Sequence, residues 1–248
     1  MPEPTTLDRA SPRAAIGIHA PGRGAPDPFA TSPEAAGPEA GLPPGLGLPD
    51  LAACRLALVG NAPDADRAAA VDAADRVVRF NNAAGLGGRN GSRVDLLALV
   101  SRGGQMREWL DDPGFLDRPA LRRTRAFLLA FPALPPGAAG VGDGACWARE
   151  AAAQLAPLGR PVRALGQAVH AEAARLLGPG APERLNPSTG FIVALALLAG
   201  RAPGAPPVDA YGFGFAGWPG HPWDAERAAF AAWAAEGRLR LHPPRPAS

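Results

Sequence analysis

The sequence predicts an α/β fold: a Rossmann-like, mostly parallel sheet with helices on both faces. Between Cys54 and Leu241, short apolar runs alternate with Ala-rich segments of helical character, as expected when helices link parallel strands. Several of these runs end in Gly or Asn, and such sheets bind ligands beyond the carboxyl ends of their strands. Hydrophobic residues fill 47% of the 248 positions, which is ample for a core.

The chain divides into a tail and one domain. Residues 1–50 are rich in Pro, Gly, Ala and Ser and show no apolar periodicity. Because they offer too little apolar surface to offset the entropy lost on ordering, we expect a disordered tail, followed by a single domain over 51–245. The net charge of +2, with no basic cluster interleaved with aromatic residues, argues against a nucleic-acid partner.

Composition also bears on the compartment. The N-terminus lacks the basic start and apolar run of a signal peptide, and the longest apolar run, 191–199, is too short to span a bilayer. Two cysteines, Cys54 and Cys146, cannot build a disulfide framework in a chain of this size, which fits a reducing cytosol. We therefore expect a cytoplasmic protein without a membrane span.

The strands are predicted from apolar runs that end in polar or Gly-containing turns. The first run ends at Gly60-Asn61, the second at Asn81-Asn82 and the third at Ser101-Arg102. A late run ends at Tyr211-Gly212. In chain order, the predicted strands are 55–59, 76–80, 94–100, 126–131, 162–165, 208–211 and 238–241.

The helices are predicted from Ala-rich segments between these strands. Pro63 and Asp64 mark the start of the first one. The predicted helices are 64–74, 105–110, 146–155, 167–177, an apolar helix after Pro187-Ser188-Thr189, and 224–236. A Gly-rich loop before Ser92 lacks the Gly-Lys-Ser/Thr of a P-loop, so a flexible surface loop is the better interpretation.

The stretch Asn186-Pro-Ser-Thr-Gly-Phe191 has the pattern of a helix start. Pro187 fixes the approach of the chain, and either Ser188 or Thr189 can cap the apolar helix that follows. Such a helix end presents free N–H groups and a positive dipole, which suit a phosphate or a carboxylate. The same pattern would also serve a buried helix that binds nothing, so both interpretations stand.

The strand ends offer further candidate ligand contacts. Gly60 would let the backbone approach a ligand, and Asn61 offers an amide that both donates and accepts. Neither a Gly-x-Gly-x-x-Gly fingerprint nor a Gly-x-Ser-x-Gly elbow is present, so a dinucleotide site and a serine hydrolase are disfavoured. A plain strand-to-helix turn is the alternative explanation for Gly60-Asn61.

His221 is the candidate acid–base residue. It lies in a loop with aromatic neighbours, and a neutral imidazole can take a proton from a hydroxyl near neutral pH. It could equally be a surface histidine, while Asp224 and Glu226 could cap the next helix. The four histidines are scattered and show no metal-ligand spacing.

These motifs together resemble the sialyltransferase family, glycosyltransferase family 29. Segments 54–61, 71–81 and 91–95 are similar to its large motif, and 186–190 with 208–214 to its small motif. The pair His221 and Glu226 resembles its short C-terminal motif. The resemblance implies transfer of sialic acid from a cytidine monophosphate (CMP) donor to an acceptor hydroxyl of a glycan or small molecule, with inversion and without a metal or other cofactor.

The resemblance also implies roles for individual residues. Asn61 and Asn81 would contact the nucleotide, and the start of the apolar helix would hold the anionic groups of the donor. His221 would be the general base on the acceptor or would bind the donor phosphate. The donor-binding residues implied are Gly60, Asn61, Asn81, Ser188, Thr189, Gly190, Tyr211 and Gly212, with Arg79 and Glu226 in support.

A second resemblance is to a group of bacterial urease operon accessory proteins. It rests on Val-Gly-Asn61, on Arg-Phe-Asn81, and on the Gly-Phe-Gly-Phe-x-Gly-Trp stretch before His221. That name describes a gene neighbourhood and implies no mechanism. Two alternatives to a working transferase therefore stay open: a catalytically degenerate nucleotide-binding accessory protein, and a different nucleotide-using α/β enzyme.

Overall fold

The computed structural model describes residues 51–62, 67–134, 144–178, 186–242 and 244. The predicted tail and the predicted helix start at Pro63-Asp64 lie outside these ranges.

The described residues form one sheet of seven strands, in the order β5-β4-β3-β2-β1-β6-β7. Every neighbouring pair in it is parallel, so the predicted parallel sheet is confirmed. The strands are β1 Leu56–Val59, β2 Arg76–Phe80, β3 Leu96–Leu99, β4 Ala126–Leu129, β5 Val162–Ala164, β6 Val208–Tyr211 and β7 Leu239–His242.

Helices lie on both faces of the sheet, as predicted. They are α1 Ala68–Asp72, α2 Gly103–Leu110, α3 Pro119–Arg123, α4 Ala148–Leu155, α5 Gln167–Leu177, α6 Thr189–Ala199 and α7 Trp223–Ala235, with 3₁₀ turns at Phe115–Asp117 and Ala156–Leu158. Helix α3 and the 3₁₀ turns were not predicted, because segments this short carry too few apolar positions to show a period. Pro119 at the first helical position is the local signal for α3.

The strands feed two cores because successive side chains point to opposite faces. In β3, Leu96 and Ala98 pack with α5, α6 and α7, whereas Leu97 and Leu99 pack with α2, α3 and α4. Both faces of the central strands are therefore apolar, which explains why these strands appear in the sequence as continuous apolar runs.

Helix α6 is the most deeply buried helix on the face of the sheet that carries α5, α6 and α7. Every residue from Phe191 to Leu198 is buried, so the helix is apolar all round rather than amphipathic. Packing covers the sides of the helix. Its N-terminal end stays uncovered and faces the carboxyl edge of the sheet.

The strand order places the topological switch point between β1 and β6. The chain adds strands from β1 to β5 in one direction and then returns to place β6 on the other side of β1. Helices on the two sides diverge at such a point and leave a crevice beyond the carboxyl ends of the strands.

The backbones that follow β1 and β6 touch at this point. Gly60 N–H donates to the Tyr211 carbonyl at 2.8 Å, and Ala62 N–H donates to the Gly212 carbonyl at 3.0 Å. A Cβ at Gly60 would lie 2.3 Å from the Gly212 oxygen. Gly60 is therefore required for the contact between the two chain segments.

Cys54 and Cys146 are both free. Among the helices of the described ranges, none combines the length and the apolar character needed to cross a membrane.

We predict that Gly60→Ala lowers the free energy of unfolding by ~1–3 kcal/mol, because the new methyl group meets fixed backbone rather than a side chain that can move. Gly104→Ala is the control, since nothing lies within 4 Å of its Cβ and alanine favours the helix there. Urea unfolding measures both variants. Equal stability of the two would contradict the close approach of β1 and β6.

Candidate active site

A cleft of about 1160 Å³ opens at the carboxyl edge of the sheet. Its walls come from the ends of β1, β2, β3, β4 and β6 and from the starts of α2, α6 and α7. Most of the predicted site residues line it: Gly60, Asn61, Asn81, Ser188, Thr189, Gly190, Gly212, His221 and Glu226.

Ser188 is the residue that caps α6. Its backbone is extended, and its Oγ accepts a hydrogen bond from Phe191 N–H at 3.1 Å. The sequence left open whether Ser188 or Thr189 caps the helix, and the structure selects Ser188. The first free N–H groups of the helix belong to Thr189 and Gly190, which donate to no described residue and lie on the cleft wall.

The Glu226 carboxylate fixes the capping residue Ser188 through two hydrogen bonds. Ser188 N–H donates to its Oε1 at 2.6 Å, and Ser188 Oγ donates to its Oε2 at 2.7 Å. Glu226 is only 2% exposed, so burial raises the pKa of its carboxyl, while the two bonds from Ser188 oppose that rise. Because both oxygens are occupied, Glu226 ties the start of α7 to the start of α6.

His221 is held in one tautomer and one orientation. Its Nδ1 donates to the Asn186 carbonyl at 2.6 Å, because a carbonyl oxygen can only accept. Trp218 and Trp223 each meet the imidazole edge-on, with ring centroids 4.9 Å away. This arrangement leaves Nε2 as the ring nitrogen with a free lone pair.

Burial lowers the pKa of His221, and its bond to the Asn186 carbonyl opposes that shift only in part. The imidazole is therefore neutral at pH 7, as a general base must be.

The loop that carries His221 is joined to the loop before α6, because Asn186 N–H donates to the Gly220 carbonyl at 2.8 Å. The helix start and the imidazole thus form one unit.

The two asparagines differ in what they can offer a ligand. The Asn61 side chain is occupied at both ends: Nδ2 donates to the Phe80 carbonyl at 3.2 Å, and Oδ1 accepts from Ala84 N–H at 2.9 Å. Asn81 uses only Oδ1, which accepts from Val100 N–H at 2.8 Å. Its Nδ2 has no partner among the described residues, so both of its N–H groups can donate into the cleft, whereas Asn61 already uses one of its two.

Arg79 and Tyr211 lie outside the cleft. Arg79 is completely buried and donates to three loop carbonyls, those of Asn90, Gly91 and Arg93, so it fixes the Gly-rich loop. Burial lowers the pKa of its guanidinium to about 10. The Tyr211 side chain packs on the face of the sheet that carries α1. There its ring stacks on the His242 ring, with centroids 4.3 Å apart.

Sequence reasoning missed the wall of the cleft at the ends of β3 and β4. That wall consists of Arg102, Gln105, Glu108 and Phe131. The available signal was the polar Ser101-Arg102 pair after the third predicted strand, which obeys the same strand-end rule as the residues that were singled out. In the described ranges, no three His, Cys, Asp or Glu side chains come together as metal ligands.

The chain has a clear relative. It is 33% identical over 199 residues to the urease operon 23 kDa accessory protein of Rhizobium meliloti (strain 1021), and the alignment covers 75% of this chain and 92% of the relative. The chain belongs to this urease operon accessory family. No protein-family model matches it.

Two solved structures are also similar to this member of the urease operon accessory family. A mammalian sialyltransferase matches with a TM-score of 0.47 and 17% identity, over 78% of this chain and 70% of that one. A mammalian sialyltransferase in complex with Gal-beta-1-3GalNAc-ortho-nitrophenol matches with a TM-score of 0.43 and 20% identity, over 77% and 70%. The resemblance to urease operon accessory proteins that the motifs predicted is confirmed by the Rhizobium meliloti relative.

We predict that Glu226→Gln lowers the free energy of unfolding by ~1.5–3 kcal/mol, because an amide offers Ser188 one acceptor oxygen in place of two and removes the charge that strengthens both bonds. Urea unfolding measures the loss. Asp224→Asn is the matched control on the same helix, since its side chain is fully exposed and its ion pair with Arg227 lies at the surface, so we expect a much smaller loss of stability than for Glu226→Gln. If both variants are equally stable, Glu226 does not hold the cap.

Proposed function

We propose that this protein transfers a sugar from a nucleotide-activated donor of the CMP type to an acceptor hydroxyl, with inversion and without a metal ion. The observation that carries the proposal is the joining of His221 and the start of α6 into one unit on the cleft wall. A neutral base beside an anion-binding helix end is what displacement of a phosphate leaving group by a hydroxyl requires.

The donor binds through the backbone of the α6 start. Its phosphate accepts hydrogen bonds from Thr189 N–H and Gly190 N–H, where the helix dipole also favours negative charge. The Asn81 Nδ2 donates to an acceptor atom of the nucleotide. Gly190 suits this position, because a Cβ there would come within 3.0 Å of the Phe213 ring.

His221 removes the proton of the attacking hydroxyl. The acceptor O–H proton moves to Nε2 as the oxygen forms a bond to the anomeric carbon of the donor sugar. The bond from that carbon to the phosphate oxygen breaks, and its electron pair leaves with CMP. A single displacement from the face opposite the phosphate inverts the anomeric centre. The helix start stabilises the charge that develops on the leaving phosphate.

Trp218 provides a surface for a sugar ring. Its indole is 56% exposed although it is among the largest apolar side chains, and it lies on the cleft wall next to His221. An indole face packs against the apolar C–H face of a pyranose, so the acceptor hydroxyl can be presented to Nε2.

We predict that His221→Ala lowers kcat for sugar transfer by about 100- to 10,000-fold while CMP still binds. Because burial lowers the pKa of this imidazole from 6.5, kcat/KM of the wild type should rise with pH and be half-maximal below pH 6.5. The rate of CMP formation from CMP-N-acetylneuraminate measures kcat of the variant and the pH dependence of kcat/KM of the wild type.

His242→Gln is the control for this variant, since His242 lies on the other face of the sheet, 2.8 Å from Asp209, and should keep full activity. Unchanged transfer by His221→Ala, with the donor still tightly bound, would remove the assignment as base. Loss of CMP affinity in the same variant would instead make His221 a ligand of the donor phosphate.

A second candidate function is that of a nucleotide-binding accessory protein without transferase activity. The observation that favours it is the family relationship to a protein named for a urease operon. This protein would keep the donor half of the cleft and bind CMP, but it would turn over no sugar donor.

We predict that CMP at 100 times its Kd stabilises the protein by about 2.7 kcal/mol, or roughly 5–10 °C in Tm. Nicotinamide dinucleotides and S-adenosylmethionine serve as controls and should have no effect. Stabilisation by either of those in place of CMP would indicate a different nucleotide-using enzyme. CMP binding by the wild type without turnover of any CMP-sugar would favour the accessory protein over the transferase.

A further inference from the structure

Arg102 is a cation on the wall of the cleft that forms no ion pair with any described residue. It follows β3, and its guanidinium carbon lies 5.3 Å from the centre of the Phe131 ring. Its Nε is buried and has no hydrogen-bond partner among the described residues, and no carboxylate of those residues lies within ion-pair distance. Of the buried side-chain N–H groups of the described residues that lack an acceptor, the Nε of Arg102 is the one whose residue lines the cleft.

The ring beneath Arg102 is held rigidly. Ser101 Oγ donates to the Phe131 carbonyl at 3.1 Å and accepts from Phe131 N–H at 3.2 Å. On the other side, His170 packs on the Phe131 ring with centroids 5.0 Å apart, and its Nε2 lies 2.9 Å from the Ala130 carbonyl. The guanidinium therefore rests on a fixed aromatic surface, so little of its freedom is left to lose when it binds an anion.

The other polar groups of this wall do not neutralise Arg102. Gln105 carries no charge, and Glu108 lines the cleft on the same helix without forming an ion pair with it. The positive charge is therefore left for a group that enters the cleft. A planar guanidinium matches the two oxygens of a carboxylate or phosphate.

The strand order separates the origin of Arg102 from that of the α6 start. Gly190 packs against Phe213, which follows β6, whereas Arg102 follows β3, three places away in the sheet order. With strands about 4.8 Å apart, the ends of β3 and β6 are roughly 14 Å apart. We therefore expect Arg102 to meet a group of the substrates other than the donor phosphate.

We propose that Arg102, supported by Phe131, binds a carboxylate or phosphate carried by the sugar of the donor or by the acceptor. The inference extends the proposed function, because it gives the substrates of the cleft a second anionic group beyond the donor phosphate.

The test compares Arg102→Gln and Arg102→Lys with wild type by titration calorimetry. The nucleotide ligands are CMP and CMP-N-acetylneuraminate, which adds a sugar carboxylate. The acceptor ligands are methyl glucuronide and methyl glucoside, which differ in a carboxylate. The control is Arg107→Gln on the exposed side of α2, 3.8 Å from Asp111. Circular dichroism confirms that each variant is folded.

We expect Arg102→Gln to leave CMP affinity within about twofold and to weaken the ligand with the second anion by about 10- to 100-fold, with partial rescue by lysine. A selective loss for CMP-N-acetylneuraminate assigns the anion to the donor sugar, and a selective loss for the glucuronide assigns it to the acceptor.

Equal weakening of CMP itself would overturn the proposal, as would a wild type with no preference for either carboxylated ligand. Absence of CMP binding by the wild type would refute the proposed function alone, because the glucuronide and glucoside pair still tests Arg102.

Discussion

The candidate site depends on the contact between Ser188 and Glu226. A buried carboxylate is costly unless its oxygens are hydrogen-bonded, and here one residue supplies both donors from its backbone and its hydroxyl. The same hydroxyl caps α6, so the helix start, α7 and the His221 loop are fixed relative to one another. The Thr189 and Gly190 N–H groups and the imidazole are therefore positioned before any ligand arrives.

The sheet supplies the rest of the arrangement through its topology. Parallel strands bring all of their carboxyl ends to one edge, and the switch point between β1 and β6 opens that edge to a ligand. The apolar α6 could not tolerate exposure of its sides, so burying it in the first core also fixes where its end emerges. The packing that stabilises the fold thus also places the proposed anion site.

Much of this could be predicted from sequence, because local patterns carry it. The bounds of β2, β6 and α5 agree with prediction to the residue, since each is a strongly patterned run between clear stops. The roles of Asn61 and Arg79 could not be predicted. Both sit in motifs that suggest ligand contact, yet Asn61 bonds to backbone groups of Phe80 and Ala84, and Arg79 Nε and Nη2 donate to carbonyls of the Gly-rich loop and of Arg93 just after it. Arg102 was passed over because its significance comes from Phe131, 29 positions later, and from the absence of a partner.

The two halves of the cleft are built differently, and this has a consequence for specificity. On the α6 side the proposed donors to an anion are main-chain N–H groups, which no single side-chain replacement removes while the helix start is intact. On the β3 side the positive charge is one side chain on one ring, which a single substitution can delete. Under the proposed function, recognition at the α6 half should follow the fold within the urease operon accessory family, whereas recognition at the Arg102 half can differ between members. A shared nucleotide class combined with divergent second substrates is the pattern that this construction favours.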